Sequence, residues 1–242
     1  MSKEQESRVR KMLVLSCAGI AGLAITQSSK AQVNLLVDPS FELMTGSPTG
    51  VGGWGTFNGA VFSGAEHHTG VESMYTPAAA GNYTVPGAYQ IVPGVPGDTY
   101  TLSGWVFTPA TLATGSNSFA ILQISWYQTA TGGTAAGAVT TAGVDVGTPA
   151  GTPPANTVSI LPGTWTFASI TAVDPTSTPP SGPGGLGVGA YLLNINPPAP
   201  NNNDFYFDDI SLVDDSAPIP EPASLSLVGL PLLGLALRRR KN

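Results

Sequence analysis

Lysine and arginine are missing from most of the chain. All nine lie in the first 30 residues or the last five, so residues 31–237 contain none. The same span holds 13 of the 15 acidic residues, because only Glu4 and Glu6 lie outside it. This distribution argues against nucleic-acid binding and phosphoryl transfer, since both need cationic side chains to neutralise phosphate. Any acidic cluster in the body must be compensated by backbone N–H groups, solvent cations or a bound metal.

The chain also has little that favours long helices. Its 242 residues include 30 Gly and 22 Pro, which break helix interiors, and only 10% are charged. Apolar residues make up 42%, which is enough to build a core. The composition therefore favours one β-rich domain over a helical bundle or a disordered chain.

The N-terminus has the three parts of a secretory signal peptide. A basic region precedes the apolar run Met12–Ile25, and Ser29 and Ala31 place small residues at the −3 and −1 positions. We predict cleavage after Ala31, which removes residues 1–31; the alternative is a buried N-terminal helix. The one cysteine, Cys17, would leave with this segment, so the mature protein could form no disulfide.

The C-terminus also has three parts. A Pro-Glu-Pro motif is followed by the apolar stretch Ala223–Leu237 and then by a basic tail: Pro220, Glu221 and Pro222, then Arg238, Arg239, Arg240 and Lys241. As a helix, the apolar stretch would span about 22 Å, which is short of the roughly 30 Å hydrocarbon core of a membrane. The basic tail would remain in the cytoplasm by the positive-inside rule.

This C-terminal pattern resembles the PEP-CTERM sorting signal of Gram-negative bacteria. In that family an exosortase recognises the Pro-Glu-Pro motif and processes the protein during export. The resemblance covers residues 219–242. It implies export across the inner membrane to the cell surface or beyond, with a short C-terminal transmembrane helix as a transient or permanent anchor. The alternative is an ordinary C-terminal membrane anchor.

Residues 32–213 read as one all-β domain, joined to the sorting signal by a linker at 214–218. Short β-like runs alternate with Gly, Pro, Asn and Thr clusters, and two of the runs have one apolar face. We predict an antiparallel β-sandwich whose strands are Val33–Val37, Thr56–Phe62, Ser73–Thr76, Ala88–Val92, Thr99–Phe107, Phe119–Tyr127, Thr164–Val173, Leu186–Ile195 and Phe205–Val213, with a weak strand near Ala138–Val146.

Four segments of this body follow one another in a distinctive order: NLLVDPSFE (34–42), AYQIVPGVPGDTYTLSGWV (88–106), GTWTFASITAVDP (163–175) and FYFDDISLV (205–213). Together they resemble the signatures of carbohydrate-binding modules with the galactose-binding-like jelly-roll fold. The resemblance spans nearly the whole body and implies a jelly-roll sandwich that binds polysaccharide.

Acidic residues at the two ends of the body indicate a structural cation site. Asp38 and Glu42 follow the first predicted strand, and Asp208 and Asp209 lie in the last one. Clustered carboxylates without Lys or Arg suit Ca²⁺, which takes six to eight oxygen ligands. The resemblance implies the same ion, because several members of that family hold Ca²⁺ between the matching segments. The alternative is that Glu42 and one aspartate accept backbone N–H bonds while the other aspartate faces water.

Sugar recognition uses aromatic rings under the apolar sugar face and polar side chains for the hydroxyls. We therefore predict a ligand-binding surface formed by Trp54, Trp105, Gln123, Trp126 and Tyr127, with Tyr191 as a further available ring. The alternative is that half or more of these rings pack in the core.

No catalytic motif stands out. His67 and His68 are the only histidines, and the chain has neither a G-x-S-x-G nucleophile elbow nor an H-E-x-x-H zinc motif. We predict a non-catalytic, exosortase-sorted protein of the cell surface or extracellular matrix that binds polysaccharide. Two alternatives remain open: a structural matrix protein without specific sugar affinity, and a small glycan-active enzyme.

Overall fold

The computed structural model describes residues 32–43, 46–47, 49–79, 83–109, 118–132, 138–147, 157–178, 182–183, 185–198 and 202–216. The predicted signal peptide with its cleavage site at Ala31, the Pro220-Glu221-Pro222 motif and the basic tail lie outside these residues. Gln32–Pro218 form one compact unit. Among the described residues, no helix has the length and hydropathy that a membrane crossing requires.

Thirteen strands lie within the described residues, and most have the bounds that alternation of apolar side chains predicts. In chain order they are β1 (Gly55–Phe57), β2 (Val61–Ser63), β3 (Ser73–Thr76), β4 (Gly87–Pro93), β5 (Thr99–Phe107), β6 (Phe119–Tyr127), β7 (Ala138–Val146), β8 (Thr157–Val158), β9 (Thr166–Val173), β10 (Ser177–Thr178), β11 (Gly182–Pro183), β12 (Gly187–Ile195) and β13 (Phe205–Asp214).

The strands form two sheets that pack as a β-sandwich. One sheet has six strands in the order β1-β4-β12-β6-β7-β8, and the other has five in the order β2-β3-β13-β5-β9. All pairs within the two sheets are antiparallel except β7 with β8, and β10 pairs with β11 as a separate small ribbon. The long strands are divided between the two sheets, with β6, β7 and β12 in one and β5, β9 and β13 in the other, which confirms the predicted sandwich. We call these the six-stranded and five-stranded sheets.

The core lies between the sheets and is built by every second residue of the long strands. Along β5 the core residues are Tyr100, Leu102 and Val106, and along β6 they include Leu122 and Ile124, each fully or almost fully buried. The predicted alternation of both strands is therefore confirmed. The intervening residues point to the outer face of each sheet, where ligands can reach them.

Two predicted strands differ from the structure. Thr56–Phe62 is divided, because Asn58 and Gly59 both have positive φ, of 52° and 90°, and form a tight turn after β1. Asn-Gly is the preferred pair for such a turn. Val33–Val37 is not a strand, although the Leu35 N–H donates to the Leu212 carbonyl at 2.8 Å.

Candidate functional site: the outer face of the six-stranded sheet

Strand register lines up three polar side chains across the outer face of the six-stranded sheet. Tyr191 on β12 lies opposite Tyr89 on β4 and, on its other side, opposite Gln123 on β6. Their chain neighbours Ala88, Ala190, Leu122 and Ile124 are fully buried in the core. Because successive side chains point to opposite faces of a strand, the three lie on the face that points away from the core.

The tyrosines of this face form a continuous row of rings. Tyr89 and Tyr191 stack with centroids 5.3 Å apart and an interplanar angle of 10°. Tyr127, on β6, stacks on the other side of Tyr191 at 6.5 Å and 21°, and the two hydroxyl groups are in contact. Phe57 of β1 extends the row beyond Tyr89 at 6.0 Å. We call Tyr89, Tyr191 and Tyr127 the tyrosine row.

Glycines allow the rings to lie this close to the backbone. A Cβ atom on Gly189 would lie 2.8 Å from Cε2 of Tyr127 and 2.9 Å from Cε2 of Tyr191. Gly50 has a φ of +66°, and a Cβ atom there would lie 2.4 Å from Cε2 of Tyr89. A larger residue at either place would displace a ring, so the row depends on small residues as much as on the tyrosines.

The row presents neutral hydrogen-bonding groups beside apolar ring surface. Tyr89, Tyr191 and Gln123 are half-buried, whereas Tyr127 is buried. Burial, together with the neighbouring Tyr89, raises the pKa of Tyr127 to about 12, so this hydroxyl is neutral at physiological pH. Nε2 of Gln123 donates to Oγ of Ser125 at 3.0 Å, which orients the amide. Tyr89, Tyr191 and Gln123 can therefore contact a ligand, and Tyr127 packs against the ring of Tyr191.

Two of the predicted ligand-binding rings belong to the core. Trp54 is 1% exposed, packs against Phe41 at 5.1 Å and donates from Nε1 to the Asp38 carbonyl at 2.9 Å. Trp126 is 2% exposed and lies 5.7 Å from Tyr100 between the sheets. A ring without exposed surface cannot lie under a sugar, so the alternative of core packing holds for both.

Trp105 lies on the outer face of the five-stranded sheet, away from Gln123 and Tyr127. The His68 ring stacks on it at 4.1 Å and 17°, and Phe167 packs at its edge at 5.4 Å. Phe167 itself is 51% exposed. The predicted ligand-binding residues are therefore divided among the core and two opposite surfaces.

The predicted cation ligands accept hydrogen bonds from nearby groups. Oε1 of Glu42 accepts from the N–H groups of Val71 and Glu72, at 2.9 and 3.2 Å. Oδ1 of Asp38 accepts from the Leu43 N–H at 3.0 Å.

Asp208 and Asp209 of β13 bind the loop that precedes β3. Oδ2 of Asp208 accepts from the N–H groups of His68 and Thr69, at 2.7 and 3.1 Å, and Oδ1 accepts from the Asp209 N–H at 2.7 Å. Asp209 is partly exposed and contacts Nδ1 of His68 at 2.7 Å and the Thr69 hydroxyl at 2.6 Å. Burial raises the pKa of Asp208 although these N–H bonds lower it.

This geometry matches the alternative in which Glu42 and one aspartate, here Asp208, accept hydrogen bonds from backbone N–H groups. No group of three or more His, Cys, Asp or Glu side chains among the described residues converges as a ready-made metal centre. Gly70 shapes the site, since a Cβ atom there would lie 1.9 Å from Oε1 of Glu42. Calcium binding by Asp38, Glu42, Asp208 and Asp209 stays a prediction.

Tyr89 is the site residue that sequence reasoning missed. The alternation of β4 shows that Tyr89 and Gln90 point to opposite faces, but it does not show which strand lies beside them. The stack with Tyr191 depends on the pairing of β4 with β12, strands that are far apart in the chain. A search for aromatic residues on outward positions of neighbouring strands would find the row once the pairing is known.

No family model and no curated protein matches the sequence. Similar solved structures include a family 61 carbohydrate-binding module in complex with β-1,4-galactotriose, with 14% identity and a TM-score of 0.45 over 76% of this chain and 99% of that one. A family 22 xylan-binding domain from Paenibacillus barcinonensis has 16% identity and a TM-score of 0.43 over 79% and 100%. An arabinose-bound GH51 α-L-arabinofuranosidase has 16% identity and a TM-score of 0.44 over 77% and 27%.

Proposed function

We propose that the protein is a non-catalytic polysaccharide-binding protein that acts at the cell surface or in the extracellular matrix. The observation that carries this proposal is the tyrosine row, flanked by Gln123, on an outward face of the sandwich. Aromatic surface beside neutral hydrogen-bonding groups suits sugars, which have apolar ring faces and hydroxyl edges. The sequence resemblance to carbohydrate-binding modules supports the same ligand class.

The charge of the body narrows the ligand class. Residues 32–216 contain no Lys or Arg, so an anionic polysaccharide would find no ion-pair partner among them. The groups that face a ligand on the tyrosine row are uncharged phenols and an amide. We therefore propose a neutral polysaccharide.

The export and sorting of the protein complete the proposal. The N-terminal signal peptide and the PEP-CTERM signal would carry the chain to an exosortase in the inner membrane, and the folded body would then meet polysaccharide outside the cell.

Affinity electrophoresis of the full chain in gels that contain different neutral and acidic polysaccharides tests this function. We expect one neutral class to retard the protein, and we expect Tyr191→Ala to abolish the retardation. Phe167→Ala is the matched control, because it removes an exposed ring from the opposite sheet. Tyr191→Phe separates the hydroxyl from the ring.

The outcomes of this experiment show which sheet binds polysaccharide as well as whether the protein binds it. Loss of retardation in Trp105→Ala, with Tyr191→Ala unaffected, would place binding on the five-stranded sheet. Uniform mobility of folded protein in every gel would overturn the proposal and favour a structural matrix protein without sugar affinity.

A further inference from the structure

The strand β9 forms one edge of the five-stranded sheet and is much longer than the strands at the other sheet edges. It has eight residues, Thr166–Val173, whereas the other edge strands have three residues in β1 and β2 and two in β8. Within the part of the chain that the structure describes, β5 is its one neighbour in the sheet. The far side of β9 therefore presents a row of N–H and C=O groups that another extended chain can bind.

The backbone groups at this open edge belong to alternate residues. Directly after β9, the Asp174 N–H donates to the Asp98 carbonyl on the β5 side at 2.8 Å. The N–H and C=O groups of successive residues in an antiparallel strand point to opposite sides of the strand. The residues whose groups point away from β5 are therefore Phe167, Ser169, Thr171 and Val173. The side chains of the same four residues are exposed.

β9 lacks the features with which sheet edges usually prevent pairing, which are charged side chains, proline and bulges. Residues 166–173 contain no charged residue and no proline, and the register with β5 runs through all eight residues without a shift. The 13 acidic residues of the body all lie elsewhere in the chain. Two copies of β9 can therefore lie side by side without like charges opposite each other.

The order of side chains on β9 is complementary to itself. In an antiparallel pair centred on Ile170, Phe167 lies opposite Val173 of a second copy, and Ser169 lies opposite Thr171. Phe167 and Val173 are the large apolar side chains that β9 exposes, at 51% and 62%. This pairing covers each of them with the other, and an aromatic residue opposite a β-branched one stabilises a sheet. A second copy of the chain is thus the partner that fits this edge.

We propose that two copies of the chain pair through β9 and form a dimer in which their five-stranded sheets become one continuous sheet. The outward groups of the two strands would form about eight hydrogen bonds. The two-fold axis of such a pair is perpendicular to the sheet, so both tyrosine rows would face the same side of the dimer. Pairing itself needs no polysaccharide, but a sugar-binding chain would become bivalent through it.

Disulfide trapping tests both the dimer and its register, because Cys17 is the only cysteine of the chain. In the full chain with Cys17→Ala, Ile170→Cys would place two thiols opposite each other across the dimer axis. The Cα atoms of such a non-hydrogen-bonded pair lie roughly 4.5 Å apart, which a disulfide can span. Ser103→Cys is the matched control, since Ser103 is also half-buried but lies on β5, inside the sheet. We expect mild oxidation to link Ile170→Cys into a covalent dimer about tenfold or more faster than Ser103→Cys.

Two substitutions of Ser169 separate backbone pairing from side-chain contact. Ser169→Pro, added to Ile170→Cys, removes an N–H group that points away from β5 and keeps the ladder with β5, so it should fold and should abolish the cross-link. Ser169→Ala keeps the N–H group and should leave the cross-link in place. Equal rates for Ile170→Cys and Ser103→Cys would overturn the proposal, and so would rapid cross-linking in folded Ser169→Pro.

Sedimentation velocity of the unaltered full chain is a second measurement that needs no substitution in β9. We expect an equilibrium between monomer and dimer that shifts towards the dimer as the protein concentration rises. A monomer at every concentration would overturn the proposal, and is the result expected if another segment of the chain covers β9. Dimers in which Ile170→Cys does not cross-link would also overturn it, because they would form through a different surface.

Discussion

Replacing Asp208 by alanine should destabilise the fold strongly, and the same experiment separates the two interpretations of the acidic residues around it. The carboxylate is fully buried and accepts three backbone N–H groups, from His68, Thr69 and Asp209, at 2.7, 3.1 and 2.7 Å. The bonds from His68 and Thr69 hold the loop before β3 against β13. Asp208→Ala would leave all three donors without their acceptor.

The size of the expected loss in stability follows from the three N–H donors. Leaving one buried donor unpaired costs about 1–3 kcal/mol, and water can reach part of the loop, so we expect a loss of about 3 kcal/mol in the free energy of unfolding. Asp208→Asn keeps one oxygen and should lose about half as much. A loss of this size is a large fraction of the 5–15 kcal/mol that is usual for a domain. Glu66→Ala, at an exposed position on the same loop, is the control.

Urea unfolding at neutral pH, once in excess EDTA and once in millimolar Ca²⁺, measures the loss in the free energy of unfolding and its dependence on Ca²⁺. If Asp208 caps backbone N–H groups, the loss in Asp208→Ala is the same in both conditions. If the residue holds Ca²⁺, the loss is large with Ca²⁺ and shrinks in EDTA, because neither protein then has the ion. A loss below about 0.5 kcal/mol in both conditions would refute the reasoning from hydrogen bonds.

Two further outcomes are expected from the burial of aromatic side chains. Trp126→Phe should lower the free energy of unfolding by less than the ~3–5 kcal/mol of a Trp→Ala change. Polysaccharides should still retard this variant in affinity electrophoresis. Loss of retardation in folded protein would show that Trp126 contributes to polysaccharide binding. Burial raises the pKa of Tyr100 and of Tyr127 to about 12 each, above the unfolded value of about 10. The unfolded chain therefore releases these protons first, and stability should fall as the pH rises from about 10 towards 12. In urea unfolding across that range, the free energy of unfolding of Tyr127→Phe should fall less steeply with pH than that of the unaltered protein. An equal fall would contradict the raised pKa of Tyr127.

The strands could be predicted from the sequence wherever their alternation of apolar and polar residues lies within the strand itself. Thr99–Phe107 and Phe119–Tyr127 have the predicted bounds and faces because each strand carries its own alternation. Even the weak strand Ala138–Val146 is present as predicted. Thr56–Phe62 fails at Asn58-Gly59, a turn signal within the predicted run that should have divided it.

The binding surface could not be predicted in the same way, because it depends on which strands are neighbours. An aromatic residue on a strand faces either the core or the solvent, and alternation alone does not choose between them. Trp54 is buried by Phe41, which comes from the chain segment before the first strand. Tyr191 becomes part of a row only because β12 lies between β4 and β6.

The absence of Lys and Arg explains how the polar groups of the body are arranged. With no cationic side chain available, carboxylates at buried or half-buried positions are held by N–H and hydroxyl donors. Oδ1 of Asp204 accepts from the Tyr75 hydroxyl at 2.9 Å and from the Ala78 N–H, and Asp215 accepts from the Thr101 hydroxyl. Each of these two carboxylates therefore joins segments that are far apart in the chain. Asp174 and Glu72 depart from this pattern, since each has one buried carboxylate oxygen without a hydrogen-bond donor.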